Sequence, residues 1–329
     1  MIDVSSLGIL YTNGSREKNM NNNKTPQVTK VPLGKRILRH WELYLMILPG
    51  FIAVLLFKYY PMYGIQLAFK QMKLGQTIST ARWVGWDNFE RFFSTGAFER
   101  TVRNTLRIGI GTVLTFPIPI ALALLLHNCT LPGLKKTAQT VTYIPYLISV
   151  AVTMSIVLLF CNGSTGFINI MLKNLGLPTV SFLGDEKYVF PLYIISEIWS
   201  KTGFNCVIYM AALSSVSMEL VDASYIDGCS KWKKILHVDL PAIAPTIVIL
   251  LIMNMGTFFT ATTEKLLLLQ TDLNLGTSET IGTYTYKLGF VSRQYGYSAA
   301  TDLFTNLVNF IMLVISNAIA KRVSDSSLF

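Results

Sequence analysis

One apolar run of the sequence carries polar side chains in its middle. Residues 190–214 include Glu197, Trp199, Lys201 and Asn205, although most of their neighbours are apolar. A polar group inside a membrane-length run costs free energy, so it is a candidate for function. An aromatic ring can stack on the C–H face of a sugar, while amides and hydroxyls bind its hydroxyl groups. We therefore expect these side chains to line a path for a polar solute.

A structural interpretation of the same residues stays open. Glu197 and Lys201 are four positions apart, so on a helix they can form an ion pair with each other. The next apolar run, 240–261, adds Asn254 and two threonines. These side chains can line the same path or form hydrogen bonds between helices.

The sequence contains no pattern that predicts catalysis, a metal site or a cofactor. Its three histidines and four cysteines are scattered, with neither H-E-x-x-H nor C-x-x-C spacing. It also lacks a G-x-x-x-x-G-K-[ST] loop, so another chain would have to hydrolyse ATP. Residues 162–166 faintly resemble the turn that carries a serine nucleophile, which leaves an intramembrane enzyme as an alternative. Such a nucleophile needs a base, and no apolar run has a histidine well inside it.

The most structured loop comprises residues 217–241. Ser217 is a candidate N-cap of a short helix, with Glu219 in the first turn, where a carboxylate meets the positive end of the helix. Gly228 follows an aspartate and can take the left-handed conformation that ends a helix. The sequence thus predicts a short helix that stops at the glycine.

A second short helix is predicted after the glycine. Ser230 can cap it, three lysines follow, and the helix is expected to end before Leu240 and Pro241. Two short helices that meet at a glycine bend and join a membrane span can dock in a groove of a soluble partner. They can then transmit a push as a rigid body.

Membrane-spanning helices must position these residues. Of 329 residues, 51% are hydrophobic and 14% are charged, and the mean hydropathy is +0.46. Such a chain is too apolar for an ordinary soluble domain. Backbone groups in lipid must be satisfied within each segment, and the apolar runs do not alternate as barrel strands do, so we predict an all-α polytopic membrane protein. The runs are long enough to span the bilayer and comprise 42–60, 104–127, 138–161, 190–214, 240–261 and 302–320.

The net charge of +10 follows the membrane topology and does not indicate a nucleic-acid partner. Basic clusters precede the first run, separate the second from the third and the fourth from the fifth, and follow the sixth. With six spans these clusters share one side, which the positive-inside rule identifies as the cytoplasm. Residues 61–103, placed outside, are also basic, but long loops weigh less in this rule. We expect both termini in the cytoplasm and the spans in contact with the lipid bilayer.

Residues 217–241 resemble the EAA loop of binding-protein-dependent ABC importer permeases. That motif reads E-A-A, three residues, G, nine residues and I-x-L-P. Here the triplet is Asp222, Ala223 and Ser224, the glycine is Gly228, and the segment ends with V-D-L-P at the expected spacing. In the family this loop forms the coupling helix that enters a cleft of the ATPase subunit. By this resemblance the ATPase-coupling residues are Glu219, Asp222, Ala223, Tyr225, Asp227, Gly228 and Lys231.

The resemblance covers nearly the whole chain beyond residue 40. It is similar to the carbohydrate-type permeases for aldouronate or multiple-sugar uptake, the LplB/YteP-like group. The segments that carry this similarity are 48–50, 57–70, 83–85, 88–89, 139–145, 208–212 and 284–329.

The resemblance implies a type I ABC importer permease with a MetI-like core, about six transmembrane helices and a multi-pass location in a bacterial plasma membrane. It implies a non-catalytic subunit that translocates an oligosaccharide. The implied partners are a second permease, which would form a heterodimer, two ATP-binding-cassette ATPase subunits and an extracytoplasmic solute-binding protein. An ion-gradient-driven secondary transporter remains an alternative, since a carboxylate in a span would suit it, although it would not need the cytoplasmic loop.

The predicted organisation has four parts. Residues 1–40 form a polar, disordered cytoplasmic tail. Residues 41–103 hold the first transmembrane helix and an extracytoplasmic amphipathic segment, whose aromatic residues either lie along the membrane or pack on the next helices. Residues 104–321 form the MetI-like core that contains the loop 217–241, and residues 322–329 form a cytoplasmic tail.

Overall fold

A computed structural model describes residues 41–73, 75–260 and 263–323. The predicted tail 1–40, and all but the first two residues of the predicted tail 322–329, lie outside this range. Apart from turns and irregular loops, the described chain is helical, with one hairpin of two two-residue strands. The predicted all-α class is therefore confirmed.

The first helix, α1 (Trp41–Val54), continues through a π turn, Leu55–Tyr59, and a 3-10 segment, Tyr60–Phe69. It contains Pro49, which a membrane helix tolerates. The chain divides into two compact units at Tyr60, so residues 41–60 are described by themselves. Every side chain in residues 41–60 is exposed, and an apolar helix of this kind suits a hydrocarbon environment.

The second unit begins with the predicted amphipathic segment. An antiparallel hairpin pairs β1 (Lys70–Gln71) with β2 (Arg82–Trp83), and α2 (Asp87–Ser94) follows. The rings of Phe89 and Phe92 are buried, the latter 5.6 Å from the ring centroid of Phe304. The packing interpretation therefore holds for those two rings. Other aromatic side chains of the segment are exposed, namely Trp83, Trp86 and Phe93, and their position along the membrane stays a prediction.

The next two helices, α3 (Gly96–Thr115) and α4 (Pro117–His127), form one 32-residue candidate span interrupted at Phe116. Pro117 occupies the first position of α4, where the missing N–H is least costly. The predicted span 138–161 contains Pro145, which predicts a kink, and the structure is bent there. Helix α5 (Pro132–Tyr143) ends in the 3-10 turn Ile144–Leu147, and α6 (Val150–Phe160) leaves it at 101°. The reason is Pro145, which cannot donate a helical hydrogen bond.

After α7 (Phe167–Asn174), the 3-10 turn Glu186–Tyr188 leads into the long helix α8 (Val189–Ser214). A bend of 77° separates α8 from α9 (Met218–Ile226). The chain then runs through α10 (Lys231–Lys234), the π turn Ile235–Asp239 and α11 (Leu240–Met255). These three form one 25-residue candidate span, so the predicted span 240–261 begins earlier and ends earlier than expected.

The remaining helices lead to the C-terminus of the described chain. They are a 3-10 turn at Phe258–Thr260, α12 (Thr263–Leu269), α13 (Leu275–Ser278), α14 (Ile281–Tyr286), the π turn Lys287–Val291 and α15 (Tyr295–Val323). Within the described residues four helices are long and apolar enough to cross a membrane, or up to six if each bent pair counts as one span. The chain is therefore a multi-pass membrane protein.

The buried core beneath the 217–241 loop is formed by three helices. Apolar side chains of α4, α8 and α11 pack together with Ile235 of the π turn. Helix α8 also approaches α5 very closely. A Cβ placed on Gly203 would overlap the carbonyl oxygen of Thr142, so only glycine fits at this crossing.

The close crossing predicts the effect of a single methyl group. Gly203→Ala should lower the free energy of unfolding by about 1–3 kcal/mol, the usual cost of overpacking. Thermal unfolding of the purified protein in detergent measures the change. Gly133→Ala is the matched control, because nothing lies within 4 Å of its added Cβ. Equal unfolding midpoints for the two variants would contradict the close contact.

Candidate functional site

A cavity of about 440 Å³ lies between α3, α8 and α11. It is lined by four of the five residues that the sequence singled out for a solute path, which are Glu197, Lys201, Asn205 and Asn254. The three from α8 are spaced four residues apart, so they share one face of the helix. The structure thus brings together side chains from two separate apolar runs. Whether a solute passes there stays a prediction.

Trp199 does not line the cavity. Its position is two residues from both Glu197 and Lys201, which places it on the opposite side of α8. Its side chain is 42% exposed on that side. The aromatic side chain that α8 contributes to the cavity wall is therefore Tyr209 and not the expected Trp199.

The carboxylate of Glu197, which lies at the cavity wall, pairs with two lysines. Its Oε1 lies 2.5 Å from the Nζ of Lys201, and its Oε2 lies 2.7 Å from the Nζ of Lys265. The pairing of Glu197 with Lys201 is the one that the four-residue spacing allows. Lys265, in α12, is fully enclosed and lies over the ring of Tyr193, 5.3 Å from its centroid. Lys265 is 68 residues from Glu197 in the sequence, so helical spacing does not predict this pair. A lysine directly before a run of leucines is nevertheless a signal that could have marked Lys265 as a buried charge.

The amides at the cavity differ in how they are bonded. Asn254 donates from Nδ2 to the carbonyl oxygen of Leu250, one turn back in its own helix. Asn205, by contrast, has no side-chain hydrogen bond within the described part of the chain, so both its donor and its acceptor face the cavity unused. Thr260, also at the wall, accepts a hydrogen bond from Asn309 of α15 at 2.6 Å. The interpretation as a hydrogen bond between helices thus holds for Thr260, whereas Asn254 lines the cavity and its role in a solute path stays a prediction.

The loop between α8 and α11 presents an exposed helix. In α9 only Ser224 is buried, and the seven residues assigned to ATPase coupling are all exposed. Large apolar side chains share this exposure with the acidic ones, and they are Met218, Leu220, Tyr225 and Ile226. An exposed mixture of apolar and acidic groups on one short helix is typical of a docking surface.

Gly228 ends α9 through a Schellman motif. Its φ is +74°, its N–H donates to Tyr225, and the N–H of Cys229 donates to Ser224. A residue with a Cβ would be strained in this conformation. Ser217 occupies the predicted N-cap position, but its side chain makes no capping hydrogen bond.

The prediction of a second short helix that ends before Leu240 is wrong. Helix α10 continues through the π turn into α11, and the N–H of Leu240 donates to the carbonyl oxygen of Ile235. The π turn ends two residues before Pro241, whose ring nitrogen has no hydrogen to donate to a carbonyl one turn back. The wider turn therefore accommodates the proline, and the loop passes into the span without a break.

A buried polar triad anchors this junction. The Nζ of Lys234 lies 3.1 Å from a carboxylate oxygen of Asp239 and donates to Asn128 at 3.0 Å. The side chain of Asn128, just beyond α4, donates in turn to Asp239 and to Leu124. The triad ties the base of the loop to the end of α4. Sequence reasoning missed it because Asn128 is more than a hundred residues from its partners.

Residues 162–166 form an Asx turn. The amide and the hydroxyl of Ser164 both bond to the side-chain oxygen of Asn162. This local role explains the polar residues that resemble a nucleophile turn.

Comparison with known proteins identifies the family. The model for the binding-protein-dependent transport system inner membrane component matches residues 93–325. The chain belongs to this family. Its relatives include Protein LplB of Bacillus subtilis (strain 168), 35% identical over 87% of this chain and 91% of that protein. The polygalacturonan/rhamnogalacturonan transport system permease protein YteP of the same organism is 36% identical over 89% and 92%.

Solved structures show the same fold. A chain of a bacterial alginate ABC transporter in complex with an alginate pentasaccharide-bound periplasmic protein superimposes with a TM-score of 0.82 at 34% identity. The match covers 90% of this chain and 99% of that one. A second structure, of a transporter involved in the import of the acidic polysaccharide alginate, gives the same TM-score at 35% identity. As an inner membrane component of a transport system, this family member is a permease subunit and not an enzyme.

The buried triad predicts a stability effect. Lys234→Met alone should cost about 3–5 kcal/mol of unfolding free energy, because it leaves the buried carboxylate of Asp239 without its cation. The double variant Lys234→Met/Asp239→Leu should recover most of this loss, because both charges are removed together. Equilibrium unfolding in mixed micelles measures both. Lys233→Met, at an exposed neighbouring position, is the control, and a loss as large there would contradict the assignment.

Proposed function

We propose that this chain is the membrane-spanning permease of an ATP-driven importer and that it carries an oligosaccharide through the cavity between α3, α8 and α11. One observation carries this proposal. Helix α8 supplies most of the predicted path residues of the cavity wall and then bends by 77° directly into the exposed helix α9. A push on α9 therefore acts on the same helix that bounds the cavity, which is the arrangement that coupling to a separate motor requires.

The ATPase would dock on α9. Its exposed apolar side chains supply area for a groove, and Glu219, Asp222 and Asp227 supply charge around them. The Schellman motif at Gly228 holds the helix at a defined angle, and the Asn128–Lys234–Asp239 triad makes the base of the loop rigid. Closure of the ATPase subunits would then rock the helices between outward and inward access.

The assembly would contain further chains. We propose a second permease, which completes the path, two ATP-binding-cassette ATPases and an extracytoplasmic solute-binding protein that delivers the sugar. The alginate transporter structure includes a periplasmic protein with bound pentasaccharide, which supports this composition. Relatives named for polygalacturonan, rhamnogalacturonan and arabinooligosaccharide transport support an oligosaccharide substrate.

In the orientation that we propose for the chain in the membrane, the α8–α11 loop and both termini lie in the cytoplasm. The basic clusters that precede α1, separate α4 from α5 and follow α15 would then share the cytoplasmic side with Lys231, Lys233 and Lys234. This is also the side on which an ATPase has access to ATP. The membrane would be a bacterial plasma membrane.

The coupling role of the loop predicts the effect of two substitutions. Asp222→Arg reverses a charge on the exposed face of α9, and Gly228→Pro removes the left-handed conformation that ends the helix. Each should reduce co-purification of the ATPase subunits and ATP-driven uptake at least about tenfold, the usual cost of an interface hot spot. Asp272→Arg, at an exposed carboxylate outside the loop, should leave both intact. Normal assembly and uptake in both loop variants would contradict the coupling role.

The orientation predicts a labelling pattern. In a variant without its native cysteines, Lys233→Cys should react with a membrane-impermeant maleimide only after the cells are opened. Asp272→Cys should react from outside in intact cells. Labelling of position 233 from the outside would rule out contact with a cytosolic ATPase.

A further inference from the structure

An open groove of about 940 Å³ follows one face of α3. Along that helix it extends from Gly96 to Leu114, and Phe190 of α8 contributes to its wall. None of its lining residues lines the cavity that contains Glu197. A Cβ placed on Gly111 would overlap the ring of Phe190, so α3 and α8 are in close contact beneath the groove. It is therefore a second concave surface, separate from the proposed solute path.

The charged side chains that line the groove do not cancel. They are Glu99, Arg103 and Arg107, and each is one helical turn from the next on α3. Glu99 lies 3.9 Å from Arg103. Within the described part of the chain, Arg107 has no carboxylate at ion-pair distance. The three groups together carry one net positive charge, and all of them are exposed.

An aromatic ring holds Arg107 at the wall of the groove. Its guanidinium carbon lies over Phe190, 4.9 Å from the ring centroid. Stacking of this kind engages the face of the guanidinium and leaves the N–H donors in its plane free. One turn away, the side chain of Arg103 is 66% exposed. The groove thus offers two planar donor groups of the shape that binds phosphate oxygens.

The two arginines lie at the depth of the lipid headgroups. From Ile108 to Leu126 the α3–α4 span contains no charged residue. This stretch is about 28 Å long at roughly 1.5 Å per helical residue, which matches a hydrocarbon core about 30 Å thick. Arg107 directly precedes it, so both arginines lie at the membrane–water interface.

The other half of the groove lies in the hydrocarbon. Ile110 and Leu114 share the groove face of α3 with the arginines, and they are 53% and 73% exposed. Along the groove a net positive charge at headgroup depth is therefore followed by an apolar surface at acyl-chain depth. A phospholipid with a net negative charge has the complementary groups in the same order. A protein segment would match them only with an acidic side chain placed at that depth.

We propose that the groove binds an anionic phospholipid. Its phosphate accepts hydrogen bonds from Arg103 and Arg107, and one of its acyl chains lies along Ile110 and Leu114. The inference goes beyond the proposed function, and it does not depend on the direction in which the chain crosses the membrane. In the proposed orientation the groove opens to the outer leaflet.

The test measures lipid binding to the purified full chain by native mass spectrometry from detergent micelles. The probes are dioleoyl phosphatidylglycerol and dioleoyl phosphatidylcholine, which have the same acyl chains but differ in net charge. Titration gives the dissociation constant of the first bound molecule of each lipid. Phosphatidylglycerol should bind at least about tenfold more tightly, as expected for a hydrogen bond to a charged group. Equal affinity for the two lipids would overturn the inference.

Substitutions then locate the binding to the groove. Arg103→Gln/Arg107→Gln should abolish the preference for phosphatidylglycerol, whereas Arg103→Lys/Arg107→Lys should retain a preference because the charges are kept. The matched control is Arg82→Gln, at an exposed arginine that does not line the groove, and it should bind both lipids like the wild type. An unchanged preference in the double glutamine variant would contradict the site.

A soluble headgroup distinguishes a lipid site from a site for a free anion. Glycerophosphoglycerol, which is the same headgroup without acyl chains, is added at the same concentration as the lipid. It should leave phosphatidylglycerol bound, because the buried methylene groups of the acyl chain supply much of the affinity. Displacement at this concentration would assign the groove to a soluble anion and would overturn the inference.

A measurement on the assembled complex tests whether a partner subunit covers the groove. The complex that contains the wild-type chain should retain one more molecule of phosphatidylglycerol than the complex that contains Arg103→Gln/Arg107→Gln. Binding sites on the partner subunits are present in both complexes and do not affect the difference. Equal numbers of bound lipids would show that a protein occupies the groove in the assembly, and the lipid assignment would then fall.

Discussion

Charges inside an apolar helical bundle must be paired, and two such pairings determine how this permease is arranged. Glu197 joins α8 to α12 through Lys265, and Asp239 with Lys234 joins the start of the α11 span to Asn128 beyond α4. Removing one partner would leave a desolvated charge, which costs several kcal/mol. These contacts therefore act as fixed points between which the apolar surfaces pack, one at the cavity and one at the base of the 217–241 loop.

Helix α8 connects the two fixed points. Its middle third carries Glu197 and Lys201 at the cavity, and its last turns pack on α4 and α11 through Cys206, Tyr209 and Leu213. The helix then bends into α9. A displacement of α9 would act on this core, because interiors packed at this density transmit strain and do not absorb it. The same packing keeps α8 close to α5 at Gly203, so a movement of one helix involves the other.

The surface of α9 and the polar cavity both present groups that are suited to contact another molecule. Large apolar side chains of α9 are exposed, and at the cavity wall the amide of Asn205 has no side-chain hydrogen bond among the described residues. The family explains both features, since its members are the inner membrane components of systems with separate binding proteins. A protein that works only in an assembly leaves its contact surfaces open in the isolated chain.

Sequence alone determined the helical membrane class, the position of α8, the glycine stop of α9 and the group of polar residues on the cavity face. These follow from local rules, because apolar run length, helical spacing and left-handed glycine depend on neighbouring residues. Only the tertiary structure decided that Lys265 shares Glu197, that Asn128 joins Lys234 and Asp239, that Trp199 faces away, and that the kink which Pro145 predicts in the third span reaches 101°. Those features depend on which helices meet, and the pairing of distant segments is set by packing and charge burial across the whole bundle.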